Sequence, residues 1–566
     1  MKTTRKRFRI PLRRGIQAVS LLLFLWLLRQ TAGPVVGTIL PVDSFLRMDP
    51  LVAVAVPLAA REWIDALLPG LIVLFVAVVA GRVFCGYVCP MGTTLDLAGA
   101  VARRGIRKGS LKTGDPLPKL RWGKYLILAV MLGAALTGVN AVFWASPIPL
   151  ITRFYALLLH PVLTLAGSEG LELGRGLFGE LDFLGLEYLQ IATRRYYTLY
   201  FLLFFFGALF ILERGRPRFW CRFLCPAGAL LGLLSLRPFW RRRVHDCNAC
   251  TQCARKCPTG AIAPGAERAT AHPECIACRT CVSACPKHGA AFGFGSAPST
   301  VEPPEEGVSG ELIPAGPSPM PSRRAFLLSA GGGAVLAAVE LSATGTLLSA
   351  GSGGTIWPAT CIRPPGALPE PDFLDRCVRC GQCMKACPTN ALQPAWLAAG
   401  TGGMFSPVLV LRRGACVPEC NACGMVCPTG AIHKLPLAEK NWAKVGTAVI
   451  NPGTCLAWAE GRRCVVCEEV CPYGAITSVQ TSGQGVAVPV VAPARCFGCG
   501  YCEQFCPVRV PAIVIQPLNV QRLPHSAFEK TGREIGLNLS PTGAKTSLEP
   551  APSTIPDGAL PPGFLE

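Results

Sequence analysis

Cys247-Asn248-Ala249-Cys250-Thr251-Gln252-Cys253-Ala254-Arg255-Lys256-Cys257-Pro258 sets four sulfurs at gaps of two, two and three residues and closes on proline. In bacterial ferredoxins this run places three cysteines on one [4Fe–4S] cluster and sends the fourth to a partner cluster. The spacing returns at Cys275/Cys278/Cys281/Cys285, Cys377/Cys380/Cys383/Cys387 and Cys496/Cys499/Cys502/Cys506, each followed by proline. Two variants stretch only the first gap, Cys416-x3-Cys420/Cys423/Cys427 and Cys455-x8-Cys464/Cys467/Cys471. Structural zinc does not use interlocked runs of this kind, and the spacing is too tight for a disulfide framework. The chain reads first as an electron wire of six [4Fe–4S] clusters on 24 cysteines.

The composition adds a membrane. At 51% hydrophobic and 16% charged residues, the 566-residue chain is too apolar for an ordinary soluble protein. Its net charge is +21, yet residues 356–566 hold 17 Lys+Arg against 14 Asp+Glu, leaving +18 for the earlier part. Basic charge concentrated among apolar segments follows the positive-inside rule and argues against nucleic acid as a partner. No Cys-x2-Cys-His occurs, which excludes c-type haem.

Four apolar segments are expected to span: about 16–40, 64–80, 125–144 and 196–212. Arg5, Lys6, Arg7, Arg9, Arg13 and Arg14 precede the first, and a basic stretch from Arg103 to Lys124 lies between the second and third. Arg214 to Arg243 follow the fourth, which puts both the N-terminus and residues 244–295 in the cytoplasm. This half repeats itself. Arg82-x-Phe84-Cys85-x3-Cys89-Pro90-x-Gly92 matches Arg218-x-Trp220-Cys221-x3-Cys225-Pro226-x-Gly228. Apolar outer loops, Asp49-Pro50-Leu51 and Pro147-Ile148-Pro149-Leu150, are expected to join each pair of spans. Parallel repeats about an axis along the membrane normal would gather Cys85, Cys89, Cys221 and Cys225 near the inner face. Three readings stay open there: a shared metal or iron–sulfur centre, two redox dithiols, or structural thiols.

Residues 244–295 hold two ligand runs, enough for a two-cluster ferredoxin. The ferredoxin rule assigns Cys247, Cys250, Cys253 and Cys285 to one cluster and Cys275, Cys278, Cys281 and Cys257 to the other. Residues 296–321 are a Pro-, Gly- and Ser-rich linker. Ser322-Arg323-Arg324-Ala325-Phe326-Leu327-Leu328 and the apolar stretch to residue 350 match an internal twin-arginine export signal or anchor span. Residues 356–516 carry four runs, expected outside the membrane, and 517–566 read as a disordered tail. Cys361 is left over and reads as a free or structural thiol. The expected fold is multi-domain: an α-helical membrane bundle (1–243) of four spans plus a fifth, signal-like span, with two α+β ferredoxin-like iron–sulfur domains. Arg29, Arg153 and His160 are candidates for a quinol site, being polar groups in apolar surroundings near the outer face.

With these motifs in hand, residues 1–295 resemble the NapH-like membrane subunit of quinol dehydrogenase modules that serve periplasmic nitrate reductase. Residues 322–516 resemble the NapG/MauM-like ferredoxin-type subunit, through the twin-arginine signal, Arg363-Pro364-Pro365-Gly366-Ala367 and Cys377-x2-Cys380-Gly381-Gln382-Cys383. The resemblance implies a fusion of two subunits that takes electrons from (mena)quinol to a periplasmic reductase or electron carrier in anaerobic respiration. It also implies that outer runs one and four share clusters, as do runs two and three. The other function to weigh is a maturation factor delivering electrons to metal centres or disulfides of another complex. Copper-oxidase assembly proteins share the Cys-x3-Cys-Pro core but lack a four-cluster outer domain.

Overall fold

The computed structural model describes residues 9–31, 40–102, 118–180, 191–245, 247–264, 267–294, 324–335, 361–396, 399–400, 402–480 and 485–539. Arg5, Lys6, Arg7, Pro34, the basic cluster 103–112, the linker 296–321, Ser322, Arg323, the signal beyond 335 and the tail beyond 539 lie outside these residues. The chain forms two compact units that do not follow the boundaries expected from sequence. One comprises Met1–Arg29, Asp43–Phe154 and Tyr200–Val339; the other comprises Gln30–Val42, Tyr155–Leu199 and Glu340–Glu566.

The first unit is mostly helical. The segments expected to span hold the helices Arg9–Gln30, Leu68–Ala80, Gly123–Leu136 and Leu199–Gly215. At 1.5 Å per residue the last three, of 13, 14 and 17 residues, fall short of a bilayer core about 30 Å thick. The third stops at Leu136 rather than at 144, because Gly138 turns the chain with φ +93° and Asn140 Oδ1 accepts the Val142 N–H at 3.1 Å. Among the described residues one helical run, Pro147–Arg175, is long and apolar enough to cross a membrane. Its start is the Pro147-Ile148-Pro149-Leu150 stretch expected as an outer loop.

Both expected apolar loops are in fact helix starts, Pro50–Ala60 and Pro147–Arg153. Proline suits the first helical position because its φ is preset and no N–H is lost. One carboxylate caps both. Asp49 Oδ1 accepts the N–H groups of Leu51 and Val52 at 2.9 and 3.2 Å. Its Oδ2 accepts Ser146 Oγ–H at 2.6 Å and the Ile148 N–H at 3.2 Å. The helix 324–335, the start of the signal-like segment, packs on Gly123–Leu136 with Gly133 against the Ala330 carbonyl and Gly333 against Val130. Small residues permit that close backbone approach. A two-stranded antiparallel ribbon, β1 (Trp240–Val244) with β2 (Ala290–Phe294), brackets the two ligand runs between them.

The second unit strings short helices and three antiparallel ribbons around its cysteine runs: β3 (Leu392–Pro394) with β4 (Pro407–Leu409), β5 (Thr447–Ile450) with β8 (Ile513–Gln516), and β6 (Ile476–Val479) with β7 (Val488–Val491). Arg363 is buried, pairs with Glu370 at 2.7 Å, and donates to Ser406 Oγ and the Pro407 carbonyl at 2.7 and 2.8 Å. Arg522 reaches the same Glu370 at 2.5 Å. The disordered tail is therefore corrected over 517–539. Phe528 is fully buried, Leu539 nearly so, and Arg533 lies over the Trp442 ring at 4.8 Å. These anchors supply the apolar surface a disordered segment lacks. Cys361 is buried among Ala395, Ala399 and Val408, as a structural thiol would be.

Candidate iron–sulfur sites

Each Cys-Pro closure bends the chain in the same way. A residue before proline is driven out of the α region. Cys257 and Cys471 each accept an N–H four residues on, from Ala261 and Ala475, at 3.3 Å. Cys506 accepts the Ala512 N–H at 3.4 Å. Positive φ at Ala249, Ala277 and Arg379, and at Gly498, marks the corresponding turn after the first cysteine of its run. Spacing therefore becomes a loop that wraps its sulfurs inward.

The two inner runs interlock as the ferredoxin rule expects. One cavity is lined by Cys247, Cys250, Cys253 and Cys285. The other is lined by Cys257, Cys275, Cys278 and Cys281. Burial pushes the Cys275 and Cys281 thiols up to about 12. Buried thiols of this kind stay protonated unless a metal takes the proton's place.

The outer runs pair differently from the pattern implied by resemblance. Cys455, Cys464 and Cys467 share a cavity with Cys506, while Cys496, Cys499 and Cys502 share one with Cys471. Cys377 and Cys427 pack in one buried cluster with Cys383 against it. Burial and then the nearby sulfurs of Cys380, Cys377 and Cys427 push the Cys383 thiol up. Burial and then Cys416, Cys420 and Cys387 do the same to Cys423. Run one thus interlocks with run two, and run three with run four. The physical reason is reach: the fourth cysteine of a run lies within a few residues of its own strand, and β6–β7 and β5–β8 bring runs three and four together.

The donor sets fit cubane clusters. Sulfurs line apolar cavities in fours, and no three His, Cys, Asp or Glu groups among the described residues close tightly enough to hold a single metal ion. Tetrahedral zinc would need its sulfurs about 2.3 Å from one centre. No disulfide joins any described cysteine.

The Cys-x3-Cys motifs converge too. Cys85, Cys89, Cys221 and Cys225 line one cavity, as the two inner ligand sets do. Pro50 and Pro147 line it as well, so two helix N-termini end there, and fully buried Arg82 completes the wall. Such a lining favours an anionic occupant. Arg82 and Arg218 occupy equivalent positions in the two repeats, three residues before the first cysteine of each. A β-carbon at Gly228 would stand 2.5 Å from Arg82 Nη2, and one at Gly92 would stand 3.3 Å from Arg218 Nη1. Each copy's glycine seats the other copy's arginine. Arg218 pairs with Asp96 at 2.7 Å and donates to the Cys85 carbonyl at 2.8 Å.

Arg82 instead turns to the ferredoxin domain, donating to the Pro273 carbonyl at 2.9 Å and approaching Glu274 at 3.5 Å. Lys124 grips the same carboxylate at 2.6 Å. Gly86 and Gly232 press against the carbonyls of Ile276 and Pro273, and Tyr87 O–H donates to the Ala277 carbonyl at 3.2 Å. The ligand loop of Cys275 and Cys278 thus rests directly on both Cys-x3-Cys motifs. The quinol candidates are not part of that cavity. Arg29 is exposed at a helix end, Arg153 is buried and donates to the Phe143 carbonyl, and His160 is half-buried.

These features define a multi-cluster ferredoxin-type electron-transfer protein. Comparison with known families agrees. The 4Fe-4S binding domain matches residues 63–109 and 197–244, the two copies of the Cys-x3-Cys repeat. Further 4Fe-4S binding domains match 272–293 and 373–393, and a 4Fe-4S dicluster domain matches 461–510, across runs three and four. The methylamine utilization ferredoxin-type protein MauM of Methylorubrum extorquens is 40% identical over 166 residues, 28% of this chain and 74% of that protein. The ferredoxin-type protein NapG of Escherichia coli is 38% identical over 170 residues, 28% of this chain and 72% of that protein. The ferredoxin-type protein NapH of Haemophilus influenzae is 30% identical over 244 residues, 42% of this chain and 68% of that protein. The chain belongs to the NapG/MauM and NapH ferredoxin-type proteins, joining the two kinds in one polypeptide.

Proposed function

We propose that this chain is the quinol-oxidising component of a respiratory electron-transfer chain, taking electrons from (mena)quinol to a periplasmic reductase such as nitrate reductase. The observation that carries this reading is the seating of the Cys275–Cys278 ligand loop on the Cys-x3-Cys cavity. It couples a membrane-side sulfur site to a ferredoxin cluster within one rigid set of contacts. In this reading the 24 run cysteines hold six [4Fe–4S] clusters, and Cys85, Cys89, Cys221 and Cys225 hold a further centre. When bound, the clusters supply one-electron steps, which suits dividing the electron pair of a hydroquinone. The chain's own part is to bury the sulfurs, direct N–H groups at them, and exclude water.

A four-span topology follows from the charge pattern. One contact supports the inner placement of the ferredoxin runs. Arg121, on the expected inner side, donates to the Gly260 carbonyl of the ferredoxin domain at 3.0 Å. Residues 155–195, expected outside, belong to the unit that contains residues 340–566. The twin-arginine segment accounts for crossing of a domain whose clusters form in the cytoplasm. Arg29, Arg153 and His160 remain the proposed quinol contacts. The test is reduction of the purified full chain by a menaquinol analogue under anaerobic conditions. Loss of visible cluster absorbance is expected; a chain that dithionite bleaches but no quinol does would favour the maturation-factor role.

A further inference from the structure

Within the second unit, the Cys377 run does not face solvent. Gln382 donates to the Val42 carbonyl at 3.0 Å, and Lys385 donates to Thr31 Oγ at 3.3 Å. Tyr196 O–H donates to the Met384 carbonyl at 3.2 Å, and a β-carbon at Gly381 would stand 2.9 Å from Leu157 Cδ1. Val42 packs in one apolar cluster with Ala386, Val426 and Cys383. The loop between Cys380 and Cys383 is therefore pressed onto chain from the membrane half. Leu157 itself lies in a π-helical turn, Phe154–Leu159, which runs into His160. Single π-turns are rare and gather at functional sites.

The opposite end of the unit is built otherwise. The Cys416 N–H donates to the Cys499 carbonyl at 2.8 Å, so the site of Cys387, Cys416, Cys420 and Cys423 adjoins that of Cys471, Cys496, Cys499 and Cys502. The site of Cys455, Cys464, Cys467 and Cys506 comes last. Its first gap is eight residues where the regular runs have two, and the extra residues make the short helix Leu456–Ala459 and an exposed loop. Arg462 in that loop is 70% exposed, as is Val510 just beyond Cys506.

From this order we propose that electrons come into the four-cluster unit at the Cys377/Cys380/Cys383/Cys427 site, through the Leu157–Gly381 wall. They leave at the Cys455/Cys464/Cys467/Cys506 site, through the edge opened by the long gap. The inference deepens the quinol reading and rests on it for the donor. A hydroquinone loses two electrons, one after the other, and its two O–H protons to become quinone. Each electron passes singly along the four sites, and two equivalents of a soluble one-electron acceptor protein are reduced at the exit.

The experiment uses the full chain in detergent, without oxygen, with a menaquinol analogue and rapid-freeze electron paramagnetic resonance. In Cys464→Ser the three other outer clusters should still be reduced by the hydroquinone, with loss of transfer to the acceptor. In Cys380→Ser reduction of the outer clusters by hydroquinone should be lost, while dithionite still reduces those that remain. The reverse pattern overturns the proposal. If a substituted ligand prevents assembly, Gln382→Ala, which keeps every sulfur, should slow only the hydroquinone-driven step; unchanged kinetics there also count against it. A second measurement does not depend on the donor. A soluble dysprosium chelate added to the dithionite-reduced wild type should relax the signal that Cys464→Ser removes and spare the one that Cys380→Ser removes. Failure of hydroquinone with this relaxation pattern intact would sink the quinol reading alone. Relaxation of the Cys380-dependent signal instead would sink the order.

Discussion

Glu274 shows how much one side chain can hold at the residue scale. It is 1% exposed, receives Lys124 at 2.6 Å and Arg82 at 3.5 Å, and stands next to the ligand Cys275. Removing one partner of a buried pair costs about 3–5 kcal/mol because the other charge is left without compensation. Glu274→Ala should therefore loosen the inner ferredoxin domain from the helices of its unit. Thermal loss of visible absorbance should come at lower temperature for the inner clusters and be unchanged for the outer ones. An unaltered profile would remove Glu274 from the coupling. Gly228 gives a second handle. A β-carbon at Gly228 meets Arg82, which is fully buried, and one at Gly92 meets the Cys85 carbonyl at 2.9 Å, so Gly228→Ala and Gly92→Ala should each disturb the Cys-x3-Cys cavity. Reactivity of Cys225 toward a thiol reagent in the metal-free protein reads the disturbance. None of these roles was legible in sequence. Lys124 and Glu274 are 150 residues apart, and only folding brings them together.

Among the elements, the cysteine runs were readable because each ligand loop is local. A gap of two or three residues dictates which sulfurs share a wall whatever the rest of the chain does. The interlocking of outer runs was not readable, since which Cys-Pro closure meets which run depends on ribbons between distant strands, such as Thr447–Ile450 with Ile513–Gln516. The helices at Pro50 and Pro147 escaped for another reason. Proline signals a break and a helix start equally well, and Asp49 before Pro50 was the cap that could have decided it. Asp49→Ala should weaken both starts, at roughly 1 kcal/mol for each lost cap. The expected result is a less stable core and faster thiol labelling at Cys85 and Cys221; labelling at the wild-type rate would show that the cavity does not depend on these helix ends.

Taken whole, the chain is a series of sulfur sites whose count can be measured. Six sites at four irons each give about 24 irons per chain by ferredoxin stoichiometry, and more if the Cys-x3-Cys cavity is filled. Cys85→Ser with Cys221→Ser should remove only that excess, leaving about 24. Iron near 8 in the intact chain would mean that the outer unit is no cluster protein. Export is tested by Arg323→Lys with Arg324→Lys, which should leave residues 361–539 protected from protease added outside spheroplasts; full cleavage would contradict the twin-arginine reading. Helix lengths in the apolar segments were not legible, because turns such as that at Gly138 cut segments that look continuous in sequence. The most direct measurement is stopped-flow mixing of the oxidised full chain with a menaquinol analogue, followed by visible absorbance. The account expects bleaching of inner and outer clusters in the full chain and none from quinol in the Cys85→Ser, Cys221→Ser variant, which dithionite still bleaches. Equal bleaching by quinol in both proteins would contradict it.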